Sequence, residues 1–200
     1  MKRLWAKINI IRTIPAMIAL CISSEKELIR KDILRWAVAY EKENENLSVW
    51  GYLSWFLLYE PQFRNLFYHR LKRGNFLLPV LIKIFYPPMK YLYIYTDSGS
   101  IGPGLVIYHG FDTIINAKSI GENCTVYHQV TIGRTTGCPI LEDNVQVAAA
   151  GIVVGPITIG RNSIIGCNAT VTKNVPENCT VVGNPAYIIK RNGIKEKVKL

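Results

Sequence analysis

Histidine and methionine are scarce in this chain, at three each in 200 residues. Three histidines with no paired carboxylates beside them do not make a zinc site. Cysteine is limited to Cys21, Cys124, Cys138, Cys167 and Cys179. The number is odd, the spacing is irregular and no Cys-x-x-Cys pair occurs, which argues against a disulfide framework or a zinc ribbon. A reducing cytoplasm is the expected compartment. No Gly-x-Ser-x-Gly elbow and no Walker loop is present, which removes two large enzyme classes. No apolar run reaches the roughly 18 residues that a spanning helix needs. The nearest, Phe76 to Tyr95, is broken by Lys83, Pro87, Pro88 and Lys90. The basic stretch Met1 to Arg12 and the apolar stretch after it imitate a secretory leader. Pro15 interrupts the apolar part, however, and no small-residue cleavage site follows.

Acidic residues are in short supply, and unevenly so. The chain carries a formal charge of +10. Residues 1–98 contribute +7, residues 99–189 contribute −1 and residues 190–200 contribute +4. No nucleic-acid motif accompanies this charge, so no nucleic-acid partner is expected. A phosphate-bearing small molecule or an anionic membrane surface suits it instead. Basic residues flank Tyr and Phe around residues 76–95, which is where peripheral membrane contact is expected.

What the chain does have is a six-residue period. Aliphatic residues recur at Ile114, Ile120, Val126 and Ile132, then at Leu141, Val147, Val153, Ile159, Ile165 and Val171. Helices repeat at 3.6 residues and strands at 2, so neither sustains a period of six. A flat face plus a corner does, three times per turn of a prism. This is the mark of a parallel β-helix built from hexapeptides. The fourth residue after each aliphatic is mostly small or apolar, as at Cys124, Val130, Val145 and Ala169, and supplies a second inward position. Gly121, Gly133, Gly160 and Gly166 directly follow aliphatics and are expected at tight corners. The step from Ile132 to Leu141 is nine. Three residues must leave the prism within Gly133 to Pro139, and such extrusions concentrate on the working face of solenoids.

The first half reads as helical. Ser24 with Glu27 forms a capping-box pattern ahead of an amphipathic run to about Lys42. An aromatic region from Ser48 to about Arg73 reads as core, with Pro61 starting a new helix. Thr96 to Gly104 is rich in Gly and Ser and is expected at the domain boundary. The expected organisation is a helical domain over residues 1–98, a β-helix over residues 99–186 and a basic tail over residues 187–200. The class is mainly β with an N-terminal helical domain. Solenoids have open ends and flat faces that want covering, and a homotrimer is expected.

Three histidines remain as candidates for proton transfer near neutral pH. His109 and His128 each lie two residues after an aliphatic corner and are 19 positions apart, close to one coil. They should stand one above the other, roughly one strand spacing of about 4.8 Å apart. His69 lies in the aromatic stretch and reads as structural.

The runs Gly104-Leu-Val-Ile-Tyr-His109, Val130-Thr-Ile-Gly133 and Val181-Val-Gly-Asn-Pro-Ala186 resemble the serine acetyltransferases and their polysaccharide-O-acetylating relatives. The resemblance covers about residues 97–190 and extends into Glu60-Pro61 and Tyr68-His69-Arg70-Leu71. It implies a left-handed β-helix trimer that uses acetyl-CoA and no metal. His109 matches the family's base. Ala149 and Cys167 match the positions that line the pantetheine arm. Lys173, Lys190, Arg191 and the loop residue Arg134 are the cations expected on the cofactor side. Glu60, Tyr108, His128 and Cys138 are the residues expected on the acceptor side.

The departures bear on the acceptor. The family places Asp before the catalytic His, where this chain has Tyr108. It carries Arg-His before the loop Pro, where this chain has Gly137-Cys138 ahead of Pro139. An acidic residue in an Asp-Pro pair is matched by Glu60. The missing Arg would hold the serine carboxylate, so a sugar hydroxyl of a polysaccharide precursor is the expected acceptor. Serine itself, an amino-sugar nitrogen, and a trimeric scaffold without activity are the alternatives.

Overall fold

The computed structural model of the protein describes residues 10–72 and 77–200. Most of the basic opening run, together with Arg73 and Phe76, lies outside the described residues. The chain divides into two compact units, residues 1–90 and 91–200.

Five helices are described in the first unit: α1 (Ile10–Ile22), α2 (Lys26–Ala39), α3 (Val49–Tyr59), α4 (Pro61–Leu71) and α5 (Leu77–Phe85). None is long and apolar enough to cross a membrane. Helix α1 continues through Pro15 rather than stopping there. The Ser24–Glu27 box does not form. The residue capping α2 is Glu25, without a side-chain bond, and the Ser23 hydroxyl accepts the Glu25 N–H instead. Ser48 does cap α3, accepting from the Gly51 N–H at 3.3 Å. Glu60 breaks the chain between α3 and α4, and Pro61 opens the latter.

The aromatic stripe is core, as expected, apart from the half-buried Tyr59 and the exposed Trp50. Trp36 meets Phe56 and Phe63 edge-on, at centroid distances of 5.8 and 5.1 Å. Such pairs add about 0.5–1.5 kcal/mol beyond the area they bury. Asp32 and Arg70 form an ion pair at 2.9 Å with both side chains almost wholly buried.

The second unit is a left-handed parallel β-helix. Equivalent short strands of successive coils stack into three sheets. One face holds Leu92–Ile94, Thr113–Ile115, Thr131–Gly133, Ile152–Val154 and Thr170–Val171. A second holds Ser119–Ile120, Ile140–Leu141 and Thr158–Ile159, and Ile101 joins it as a bridge to Ile120. A third begins with Val106–Ile107, Thr125–Val126, Gln146–Val147 and Ile164–Ile165. The expected inward residues are buried from Ile120 to Val171, as are Cys124, Val130, Val145 and Ala169.

The first coil differs. Ile114 points outward at 37% exposure, while Ile115 is fully buried and pairs with Ile132. Two residues beyond the six-residue period lie between Ile107 and Ile115, and the next step is one short. The inward phase of that face therefore moves by one residue.

A Cβ is costly at Gly121, as expected, and the cost comes from the neighbouring coil rather than from the backbone angle. Gly121 has no positive φ. A Cβ built there would sit 2.6 Å from the Asp143 amide nitrogen of the next coil. Close stacking of coils requires the glycine. The corners that do need a left-handed residue mostly use asparagine: Asn123, Asn144, Asn162, Asn168 and Asn178. Asparagine is among the few residues that tolerate this conformation. Asn144 and Asn162 each donate to the next asparagine below, at 3.0 and 2.9 Å.

The boundary falls between Lys90 and Tyr91, earlier than the Gly/Ser-rich stretch, because Leu92–Ile94 already pairs with Thr113–Ile115. Residues 187–200 are not a loose tail. Tyr187–Arg191 and Ile194–Lys199 are antiparallel strands that extend the third sheet beyond Cys179–Val182.

Gly121→Ala is expected to lower stability by about 1–3 kcal/mol, since backbone must move to admit the methyl group. Thermal unfolding of the purified variant against the parent checks this.

Candidate active site

The site lies at the corner after the third face. Val106–Ile107 pairs with Thr125–Val126, which pairs with Gln146–Val147, which pairs with Ile164–Ile165. Carrying that register two residues past the corner aligns His109, His128, Ala149 and Cys167 in one column. Backbone bonds continue there: the Ala150 N–H donates to the His128 carbonyl, and the Asn168 N–H to the Ala149 carbonyl, both at 3.1 Å. The two pairs read from the sequence, His109 with His128 and Ala149 with Cys167, therefore share one edge of the prism.

The two imidazoles stand with centroids 5.6 Å apart and planes at 65°. His109 is exposed and His128 is half-buried. The His128 Nδ1 atom is buried without a hydrogen-bond partner. His109 has a φ of +64°, and Gly110 follows at +70°. The two additional residues of the first coil fall here and build a wider corner than those of the coils below. Gly110 N–H donates back to the Tyr108 carbonyl at 2.8 Å. The buried Thr113 hydroxyl donates to the Phe111 carbonyl at 3.1 Å, and the Gln129 N–H donates to the same carbonyl at 2.9 Å. These bonds hold the widened corner against the second coil. His is one of the few residues enriched in left-handed backbone, and such conformations cluster at functional sites.

Aromatic rings surround the histidines. Tyr108 stacks on Tyr127 at 4.9 Å, one residue before each histidine. Phe111 stacks on His128 at 4.6 Å, with planes 23° apart. Phe111 and Tyr127 were not anticipated from the sequence as site residues. The signal for Phe111 was the added length between Ile107 and Ile115, which marks a special corner but does not say which ring covers it.

The extruded loop forms as expected between Thr131–Gly133 and Ile140–Leu141. It turns back on itself through a Thr135 N–H to Gly137 carbonyl bond at 3.1 Å. Gly137 lies close against Pro156 of the next coil. The Cys138 thiol points to the Asn116 side-chain oxygen at 3.7 Å. Arg134 is exposed in this loop, and Lys173 is exposed two residues beyond Val171 on the same face as the strand leading into the loop. Lys190 and Arg191 lie elsewhere, on the Tyr187–Arg191 strand of the third sheet. Arg191 is engaged by Glu196 at 2.9 Å. The four cations thus form two groups rather than one. Glu60 belongs to the helical unit, where its carboxylate accepts from the Gln62 amide at 2.8 Å. His69 is buried there, on α4.

The cysteines divide by environment. Burial pushes the Cys124 thiol up to about 12, and the thiol donates to the Glu142 carbonyl at 3.1 Å. Cys21 and Cys167 are exposed. Among the described residues no group of three or more His, Cys, Asp or Glu is placed to hold a metal.

No family model matches the chain. Over about half of its length the chain is similar to serine acetyltransferases. It is 40% identical over 101 residues to a serine acetyltransferase of Synechococcus elongatus, a match that covers 48% of this chain and 41% of that protein. It is 41% identical over 104 residues to a serine acetyltransferase of Staphylococcus aureus, covering 49% of each. The chain thus spans less than half the length of these curated relatives. A solved serine O-acetyltransferase from Brucella melitensis, described as a bacterial transferase hexapeptide repeat protein, superposes with a TM-score of 0.59. That match has 26% identity and covers 84% of this chain and 70% of that one.

Alkylation at pH 8 is expected to modify Cys21 and Cys167 rapidly and to spare Cys124 until the chain unfolds. The thiolate is the reactive form, and a raised pKa removes it. Mass mapping of peptides after timed iodoacetamide treatment checks this.

Proposed function

We propose that the protein is an acetyl-CoA-dependent O-acetyltransferase with His109 as its general base. The supporting observation is the single corner column of His109, His128, Ala149 and Cys167. It sets an imidazole at the head of a track of small side chains, a shape suited to an extended pantetheine arm. Ala149 and Cys167 would line that arm. Arg134 and Lys173 at one corner, or Lys190 on the third sheet, would meet the CoA phosphates. Arg191 is the weaker candidate because it already engages Glu196.

In this reading neutral His109 accepts the proton of the acceptor hydroxyl as its oxygen attacks the thioester carbonyl. The C–S bond breaks as the ester forms. The sulfur leaves as thiolate and takes the proton back from the imidazolium. No metal is required. Phe111 holds His128 in place beneath His109, and Tyr108 with Tyr127 forms one wall of the acceptor side.

Serine is the leading acceptor, since the relatives that match the β-helix are named for it. A carbohydrate hydroxyl is the second reading. The stacked pair Tyr108–Tyr127 beside His109 offers an aromatic wall for a sugar ring, and Gly137-Cys138 in the loop supplies no cation for a carboxylate. A homotrimer is proposed as well. The outward row Tyr93, Ile114, Thr131, Ile152 and Thr170 gives one β-helix face apolar groups that a neighbouring copy would cover.

Thiol release from acetyl-CoA, measured with serine and with a panel of sugars and sugar nucleotides, decides the acceptor. Turnover with serine supports the first reading, and turnover with carbohydrate alone supports the second. His109→Ala is expected to lower turnover by about 100-fold or more while leaving the fold unchanged. A variant that kept most of its activity would remove His109 from the mechanism. Light scattering is expected to give a trimer mass, and Ile152→Glu is expected to shift it toward the monomer.

A further inference from the structure

In the helical unit, two helices that pack on one another present apolar side chains to solvent. Ile14, Ile18 and Ile22 are exposed on α1 at spacings of four, so they form one stripe. Val80, Leu81, Ile84 and Phe85 are exposed on α5, with Ile84 at 70%. The opposite sides of these helices bury Ala16, Leu20 and Ile82. The stripes are therefore the unburied halves of helices whose other halves are already spent on the core. The Arg12 guanidinium lies 5.8 Å from the Phe85 ring centroid and bridges the two helices. Scattered exposed aliphatics need no explanation, but contiguous ones on paired helices do.

The charge around these helices points to what covers them. No Asp or Glu occurs in residues 1–24 or in residues 61–96. Those segments carry four and six Lys or Arg, respectively. The acidic residues of the helical unit all fall within residues 25–60. Arg70 is spent on Asp32, but Arg12, Lys72 and Lys90 are exposed and Lys83 is half-buried. Apolar stripes carried on segments whose charged residues are all basic match the boundary of an anionic lipid layer, where acyl chains take the apolar groups and headgroups take the charges. A second copy of this face would bring like charges together.

We propose that the helical unit docks on an anionic lipid surface through the exposed stripes of α1 and α5. The interaction is peripheral, since neither helix can span. It concerns where the protein works and is independent of the acceptor.

The test is co-sedimentation of the full-length protein with vesicles of phosphatidylcholine alone and with vesicles containing about 30% phosphatidylglycerol. Binding to the anionic vesicles alone, weakening as salt rises, is expected. The double variant Ile18→Glu, Ile84→Glu is expected to bind at least about tenfold more weakly with unchanged circular dichroism. Leu34→Glu and Val38→Glu, equally exposed on α2, serve as controls and are expected to bind as the parent does. No binding to anionic vesicles overturns the proposal, as does equal loss in the α2 controls. Concentration-dependent self-association that the double variant abolishes, without vesicle binding, also overturns it and assigns the face to a second copy.

Discussion

The β-helix of the second unit depends on parallel, in-register stacking of one coil upon the next. From Leu92 to Val171 each strand contributes only two or three residues, too few to hold a sheet alone. Its stability comes from the equivalent strand above and below and from an aliphatic side chain placed directly over another. Ile132 over Ile115 and Val147 over Val126 are instances. The same constraint explains Gly121, where the next coil's backbone comes too near for a methyl group. It also explains the asparagine corners, whose amides bond from coil to coil. A prism built this way is rigid at its edges, and an edge is where a fixed row of functional groups can be displayed.

The candidate site uses that rigidity and departs from it at one place. The first coil takes two additional residues at the corner that bears His109. The corner is wider there, with a left-handed backbone at His109 and Phe111 folded onto His128. The third and fourth coils keep the regular corner and contribute the small side chains Ala149 and Cys167. One edge therefore combines a wide, aromatic-lined head with a narrow track, and this division is what supports the proposed reading of a base at the head and a carrier arm along the track.

The helical unit follows different physics. Its core is aromatic, closed by edge-on contacts around Trp36 and by a buried Asp32–Arg70 pair. Such a pair is costly to desolvate, and removing one partner would leave a buried charge at a cost of about 3–5 kcal/mol. Much apolar surface on α1 and α5 is nevertheless left outside. That unburied surface is what the proposed lipid contact would cover.

The sequence by itself determined the period, and with it the β-helix, the inward residues from Ile120 to Val171, the extruded loop and the stacking of His109 over His128. A six-residue repeat has only one structural meaning, so these features needed no tertiary information. Only the tertiary structure decided which of Ile114 and Ile115 faces inward, because a locally lengthened corner shifts phase without changing composition. It also decided that Phe111 covers His128, that residues 187–200 pair as strands, that Ser24 caps nothing and that Arg191 is taken by Glu196. Each of these turns on which groups meet across the fold, and a one-dimensional pattern records spacing along the chain, not proximity in space.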